Sequence, residues 1–194
     1  MSNVTSVLIV GVGGQGTLLA SRLLGKTMMD LGYDVKVSEV HGMSQRGGSV
    51  VTYVRYGDKV YSPIIQKGQA DLILAFEQLE AARWLPYLKV GGKIIANNQK
   101  IDPMPVITGA AVYPDGVLDA VRATGADLIE LDVLSLAVKA GSAKAVNVVL
   151  IGVMASHMDI AYDVWTNAIR KTVPEKFLEM NLKAFDYGYH YSES

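Results

Sequence analysis

The chain has 194 residues, half of them apolar, and a formal net charge of −1. That suits one soluble α/β domain over residues 1–194 with an ample core, and near-neutral charge with no basic run argues against a nucleic-acid binder. The absence of cysteine excludes structural disulfides, thiolate-held iron–sulfur clusters and a cysteine nucleophile in this chain.

The opening MSNVTSVLIV carries no Lys or Arg before its apolar stretch, unlike a secretory signal. The longest apolar stretch, Val146 to Ala155, is too short to cross a bilayer. The expectation is a cytoplasmic protein with no membrane partner.

Ser6–Val10 is a short β-branched run ending in Gly, the pattern of a buried parallel strand. Thr17 to Leu31 places Leu18, Leu19, Leu23, Leu24, Met28 and Leu31 at helical spacing, with Gly32 as a stop. Val35–Val40 reads as the next strand and completes a βαβ unit. Ser49–Tyr56 alternates, Gly57-Asp58 is a turn signal and Lys59–Ser62 returns, so a β-hairpin is expected, antiparallel to its neighbour or projecting from the sheet.

Parallel organisation then resumes, with a strand at Asp71–Phe76, a helix at Gln78–Leu88, a Gly91-Gly92 turn and a strand at Lys93–Ala96. Residues 99–116, with Pro103, Pro105 and Pro114, read as a crossing connection with a short strand at Val112. Ala126–Leu131 is a further strand. Val133 to Lys139, Val146–Met158, Ala161–Lys171 and Glu175–Tyr187 read as helices, and the tail YGYHYSES as frayed. The fold class is α/β, a Rossmann-like, doubly wound, mostly parallel sheet with an inserted β-hairpin.

In such a sheet every loop that follows a parallel strand opens on the same edge, where ligands bind. The Gly11–Gly16 loop, the Glu39–Gly48 loop, Glu77, Asn97-Asn98 and Asp132 are therefore expected to share one rim. Gly11, Gly13 and Gly16 match G-x-G-x-x-G between a strand and a helix, and together with Gly14 and Gln15 they form a candidate site for an anion or a partner's polar loop. A turn serving packing alone is the simpler alternative.

Glu39 stands where an acid would hold the ribose of a dinucleotide. A carboxylate paired with Arg46, or with loop N–H groups, is the reading we favour. The following loop is unusual for a ribose pocket, with His41, Ser44, Gln45 and Arg46 ahead of Gly47 and Gly48. Arg46 offers a planar fork suited to carboxylate or phosphate, and the glycines let backbone N–H groups come close to a ligand or another chain. A surface turn with one solvated Arg is the competing account.

Other matches fail. Leu24-Gly25-Lys26-Thr27 has Ala20 where a P-loop needs its first Gly, and it lies inside a helix. No Tyr is followed four residues later by Lys, His41 belongs to no Ser–His–Asp pattern, and His157 and His190 have no second ligand at metal spacing. Neither a catalytic residue nor a metal ligand is assigned. Asn147, inside an apolar helix, is a buried polar anchor or a group facing a partner.

The blocks GVGGQG, SEVHGMSQRGGSVVTYVRYGDKVYSPII, ADLILAFEQLEAAR, NVVLIG and MNLKAFDYG occur in this order across nearly the whole chain. They resemble the beta subunits of indolepyruvate ferredoxin oxidoreductases, whose domain corresponds to the gamma domain of pyruvate and 2-oxoisovalerate ferredoxin oxidoreductases. The resemblance implies coenzyme A-dependent oxidative decarboxylation of arylpyruvates to aryl-acetyl-CoA with reduction of ferredoxin.

It also implies a large alpha subunit that holds thiamine diphosphate and the [4Fe-4S] clusters, with no cofactor tightly bound here and contact with coenzyme A left open. The chain agrees, because it lacks Cys, Gly57-Asp58 is followed by Lys59, and Asn97-Asn98 lies too far downstream for a thiamine motif. On this reading the His41–Gly48 loop faces the alpha subunit, and Arg46 meets a coenzyme A phosphate or an acidic residue across the interface. Two other readings stay open: a free-standing NAD(P)-binding protein, and a gamma subunit acting on another 2-oxoacid. A subunit of this kind is expected to expose an apolar face, with Val50–Tyr61 and Phe185, Tyr187 and Tyr189 as candidates, and a homodimer of the isolated chain would follow from an orphaned interface.

Overall fold

The structure is a computed structural model that describes residues 4–41 and 47–192, the side chain of His41 excepted. Six strands form one sheet: β1 (Val4–Val12), β2 (Asp34–His41), β3 (Ser49–Gly57), β4 (Ala70–Ala75), β5 (Leu88–Asn97) and β6 (Asp127–Leu131). Their order is β2-β3-β1-β4-β5-β6. The β1, β4, β5 and β6 strands run parallel, while β3 is antiparallel to both β1 and β2. The mostly parallel α/β sheet is as expected.

The antiparallel insertion is present, but Lys59–Ser62 does not make it. The partner of β3 is β2, in register from Asp34 opposite Gly57 to His41 opposite Val50. The chain after Gly57 is pulled off the sheet by side chains. Val60 N–H donates to Asp34 Oδ2 at 2.9 Å, and Arg55 Nη1 donates to the carbonyls of Ser62 and Ile64 at 3.1 and 3.2 Å. Those bonds take up backbone groups that a returning strand would have paired.

One face of the sheet is covered by α1 (Thr17–Asp30), α5 (Val133–Ala140), α6 (Val146–Ser156), α7 (Tyr162–Thr172) and α8 (Leu178–Tyr189); the other carries α2 (Gln78–Trp84) and α4 (Val117–Ala123). The α6 helix is apolar all round and buried from Val146 to Ala155, as such a helix must be. It is covered on its outer side by α8, at a contact where the two backbones nearly touch. A Cβ on Gly152 would lie 2.3 Å from Phe185 O, and one on Gly188 would lie 2.1 Å from Val149 O.

Three local expectations change. Pro86, which cannot donate to a helix, ends α2 early, and Leu85–Tyr87 forms a 3-10 turn instead. Gly91-Gly92 lies within β5, where a register irregularity absorbs it. The 99–116 connection holds a short helix, α3 (Met104–Ile107), and no strand at Val112, which is exposed. The α4 helix was not foreseen, although Val117, Leu118 and Val121 bury one face of it. The tail is more ordered than expected: α8 runs to Tyr189, and Tyr191 Oη approaches Glu130 O at 3.5 Å. Among the described residues no helix is long and apolar enough to cross a membrane.

The proposed exposed face is also different. Val50, Val51, Val54 and Phe185 are buried by the chain's own residues. Within the expected segments Tyr61 is exposed and Tyr187 and Tyr189 are half-buried; further exposed apolar side chains lie at Leu18, Met29, Val37 and Val40, around the open edge strand β2, and at Met104, Ile107 and Val112.

Candidate functional site

The strand ends do converge. Gly13 N–H donates to Gly48 O at 2.9 Å, which ties the glycine turn to the segment closing the 41–48 loop. Gln15 folds back over its own turn, where Oε1 accepts from Val12 N–H at 2.8 Å and Nε2 donates to Phe76 O at 3.0 Å. Asn97, fully buried, donates to the same Phe76 carbonyl at 3.2 Å and accepts from Val133 N–H at 3.3 Å. Asn98 N–H reaches Leu131 O at 3.0 Å and Gln78 N–H reaches Gln99 O at 3.1 Å. The rim is thus laced from β1 through β4 and β5 to β6 by side-chain amides and turn backbone.

The glycine turn is packed in part by the protein's own side chains. Gly14 and Gly16 have φ of +104° and +86°, a region that disfavours any side chain. Gly16 also lies under α6. Asn147 Nδ2 donates to its carbonyl at 3.2 Å, and a Cβ on Gly16 would come within 2.5 Å of that nitrogen. Gly11 is similarly packed, since a Cβ there would meet Gln15 Oε1 and Phe76 Cβ at 2.9 Å. Gln15 and Asn147 therefore pack against Gly11 and Gly16, while the space beside Gly14 is open.

Glu39 lies at the same edge, but β3 separates its strand from β1. Two strand spacings, about 9–10 Å, stand where a dinucleotide fold has one. Its Oε1 accepts from Ser21 Oγ of α1 at 3.2 Å, and it lines a groove with Leu18, Met29, Val35 and Val37. Asp132 caps α5, accepting from Ser135 N–H at 2.9 Å, and the Ser135 hydroxyl and amide hold its carboxyl below the usual range. Gly47 and Gly48 line a pocket of about 290 Å³ with Val12, Glu80, Arg83 and Met104. Ser44, Gln45 and Arg46 lie outside the described residues, as does the His41 side chain.

Two buried glutamates stand here: Glu77, which the sequence placed on this rim, and Glu80, which sequence reasoning missed. Glu77 Oε2 caps α2 by accepting from Glu80 N–H at 3.0 Å, and Oε1 accepts from Ile101 N–H at 3.2 Å and from the Tyr113 hydroxyl. Burial and the Glu77 carboxylate together push the Tyr113 phenol up. Glu80 is 3% exposed; it bonds Ser49 and Trp84 and pairs with Arg83. Nothing in its spacing separates it from a solvated helix residue. Among the described residues no group of three or more His, Asp or Glu could hold a metal ion.

The profile of the pyruvate ferredoxin/flavodoxin oxidoreductase family matches residues 6–191. The chain belongs to this family. It is 42% identical, over 190 residues, to an indolepyruvate oxidoreductase subunit IorB from Pyrococcus horikoshii, covering 94% of this chain and 93% of that one. A solved keto/oxoacid ferredoxin oxidoreductase gamma subunit from Geobacter sulfurreducens shares the fold with a TM-score of 0.71 at 23% identity, over 95% of this chain and 96% of that one. A 2-oxoglutarate:ferredoxin oxidoreductase from Magnetococcus marinus, solved with 2-oxoglutarate, coenzyme A and succinyl-CoA, does so with a TM-score of 0.73 at 19% identity, over 96% of this chain but 30% of that one.

Proposed function

We propose that this chain is the small, beta subunit of an indolepyruvate ferredoxin oxidoreductase. The complex would convert arylpyruvates with coenzyme A to aryl-acetyl-CoA and CO2, passing the electrons to ferredoxin. The likeness to IorB subunits over almost the full length supports the substrate class. The observation that carries the subunit role is the glycine turn, packed at Gly11 and Gly16 by Gln15 and Asn147 and bonded through Gly13 N–H to the Gly48 carbonyl.

Thiamine diphosphate would supply the decarboxylation chemistry and the clusters the electron path, and neither fits here. A chain without cysteine cannot hold a thiolate-ligated cluster, and Gly57-Asp58 is followed by Lys59 where a thiamine motif needs Gly, so both groups would belong to the large alpha subunit. This chain would contribute the loop that meets the alpha subunit, with Ser44, Gln45, Arg46, Gly47 and Gly48 available to that surface or to coenzyme A. Its place would be the cytoplasm, where ferredoxin and coenzyme A meet.

The test is co-expression with a candidate large alpha subunit. A stable complex that reduces ferredoxin with indolepyruvate and coenzyme A is expected, with neither chain active alone. Full activity of the large subunit without this chain would overturn the proposal.

A further inference from the structure

The first turn of α2 holds two buried glutamates, and the helix needs only one of them. Glu77 supplies the cap. Glu80, 3% exposed, buries a carboxyl at a cost that an alanine or methionine would avoid. Two of its three partners, Arg83 and Trp84, lie on its own helix, and the third, Ser49, lies on β3. Ser49 Oγ donates to Oε2 at 2.5 Å, Trp84 Nε1 donates to the same oxygen at 3.3 Å, and Arg83 Nε lies 3.3 Å from Oε1.

Ser49 is the first residue of β3 and follows Gly47-Gly48 directly. The Gly48 carbonyl is held by Gly13 N–H at 2.9 Å. The strand end that closes the 41–48 loop is therefore gripped twice, through its backbone by the glycine turn and through its first side chain by Glu80. Both grips border the 290 Å³ pocket lined by Gly47, Gly48 and Arg83. Glu77 and Arg83 are the charged groups facing Glu80. Burial pushes its carboxyl up, against the opposing pull of the Ser49 hydroxyl and of Arg83.

We propose that Glu80 is a positioning residue for assembly: through Ser49 it fixes the Gly47–Ser49 strand end in the conformation that the large subunit engages. This rests on the proposed subunit role. A buried polar bond that specifies one geometry at a site where an apolar contact would suffice is the physical signature of such a role.

The experiment titrates the large subunit with this chain and follows ferredoxin reduction, using the natural chain, Glu80→Ala, Glu80→Gln and Ser49→Ala. For Glu80→Ala the concentration giving half-maximal activity is expected to rise about tenfold, the equivalent of one hydrogen bond to a charged group. At saturating chain the kcat is expected to stay within about twofold of the natural complex. Glu80→Gln keeps an acceptor for Ser49 and is expected to recover most of the loss.

Should Glu80→Ala fail to fold, Ser49→Ala removes only the hydroxyl and is expected to weaken assembly several-fold. Assembly unchanged in either folded variant would overturn the proposal, as would a fall in kcat with no change in half-maximal concentration. A natural chain that forms no active complex would instead sink the subunit role beneath it.

Discussion

Glu80 also makes a statement about pH that can be checked on the isolated chain. Its folded-state carboxyl is raised above the ordinary value of 4.5, with burial as the largest cause. A group raised in this way opposes folding once it is ionised, and the penalty disappears as pH falls through the unfolded-state value. Glu80→Gln mimics the uncharged form. Its thermal midpoint is expected to exceed that of the natural chain at neutral pH, with the gap closing by about pH 4. A gap that widens on acidification would contradict this. At the same scale, the sequence marks a turn able to take an anion or a partner's polar loop, and only the coordinates reveal that two amide side chains, Gln15 and Asn147, pack against its Gly11 and Gly16.

Among the elements, α6 and α8 carry the tightest constraint. Their backbones touch at Gly152 and Gly188, and neither helix can retreat without opening the core around Trp165 and Phe185, both fully buried. Gly188→Ala is expected to cost about 1–3 kcal/mol through overpacking, read as a lower urea midpoint with an unchanged slope; a midpoint equal to that of the natural chain would show that the contact can relax. Helix α6 was legible because its apolar run has no polar face. The β3 strand was legible as a strand, but its partner was not. Gly57-Asp58 advertises a local hairpin, whereas the true pairing with β2 spans the 42–48 loop, and the return segment is diverted by Asp34 and Arg55.

The whole molecule decides between an NAD protein and a subunit. Inserting β3 between β1 and β2 moves Glu39 one strand further from the glycine turn, so the acid and the phosphate site of a dinucleotide fold no longer match one ligand. Titrating the isolated chain with NADH is expected to give no saturation in the micromolar range, about 8 kcal/mol of binding that this geometry does not supply. Micromolar saturation would restore the dinucleotide reading. The apolar surface that a partner could use also emerges only at this scale. Val37 and Val40 lie on the open edge of the sheet, a position that proteins commonly cover, while of the segments first expected to be exposed Val50, Val51, Val54 and Phe185 are buried and Tyr61 is exposed.

The sequence by itself determined the alternating α/β order, the parallel core strands and the convergence of their loops on one rim, because periodicity and connection rules are local and a parallel sheet leaves its strand ends no other edge. Only the tertiary structure decided that β3 pairs with β2, that Gln15 and Asn147 pack against the glycine turn, and that Glu80 holds Ser49. Each of these is a contact between residues distant along the chain, and a side chain's partner across such a distance is set by packing that no single stretch of sequence encodes.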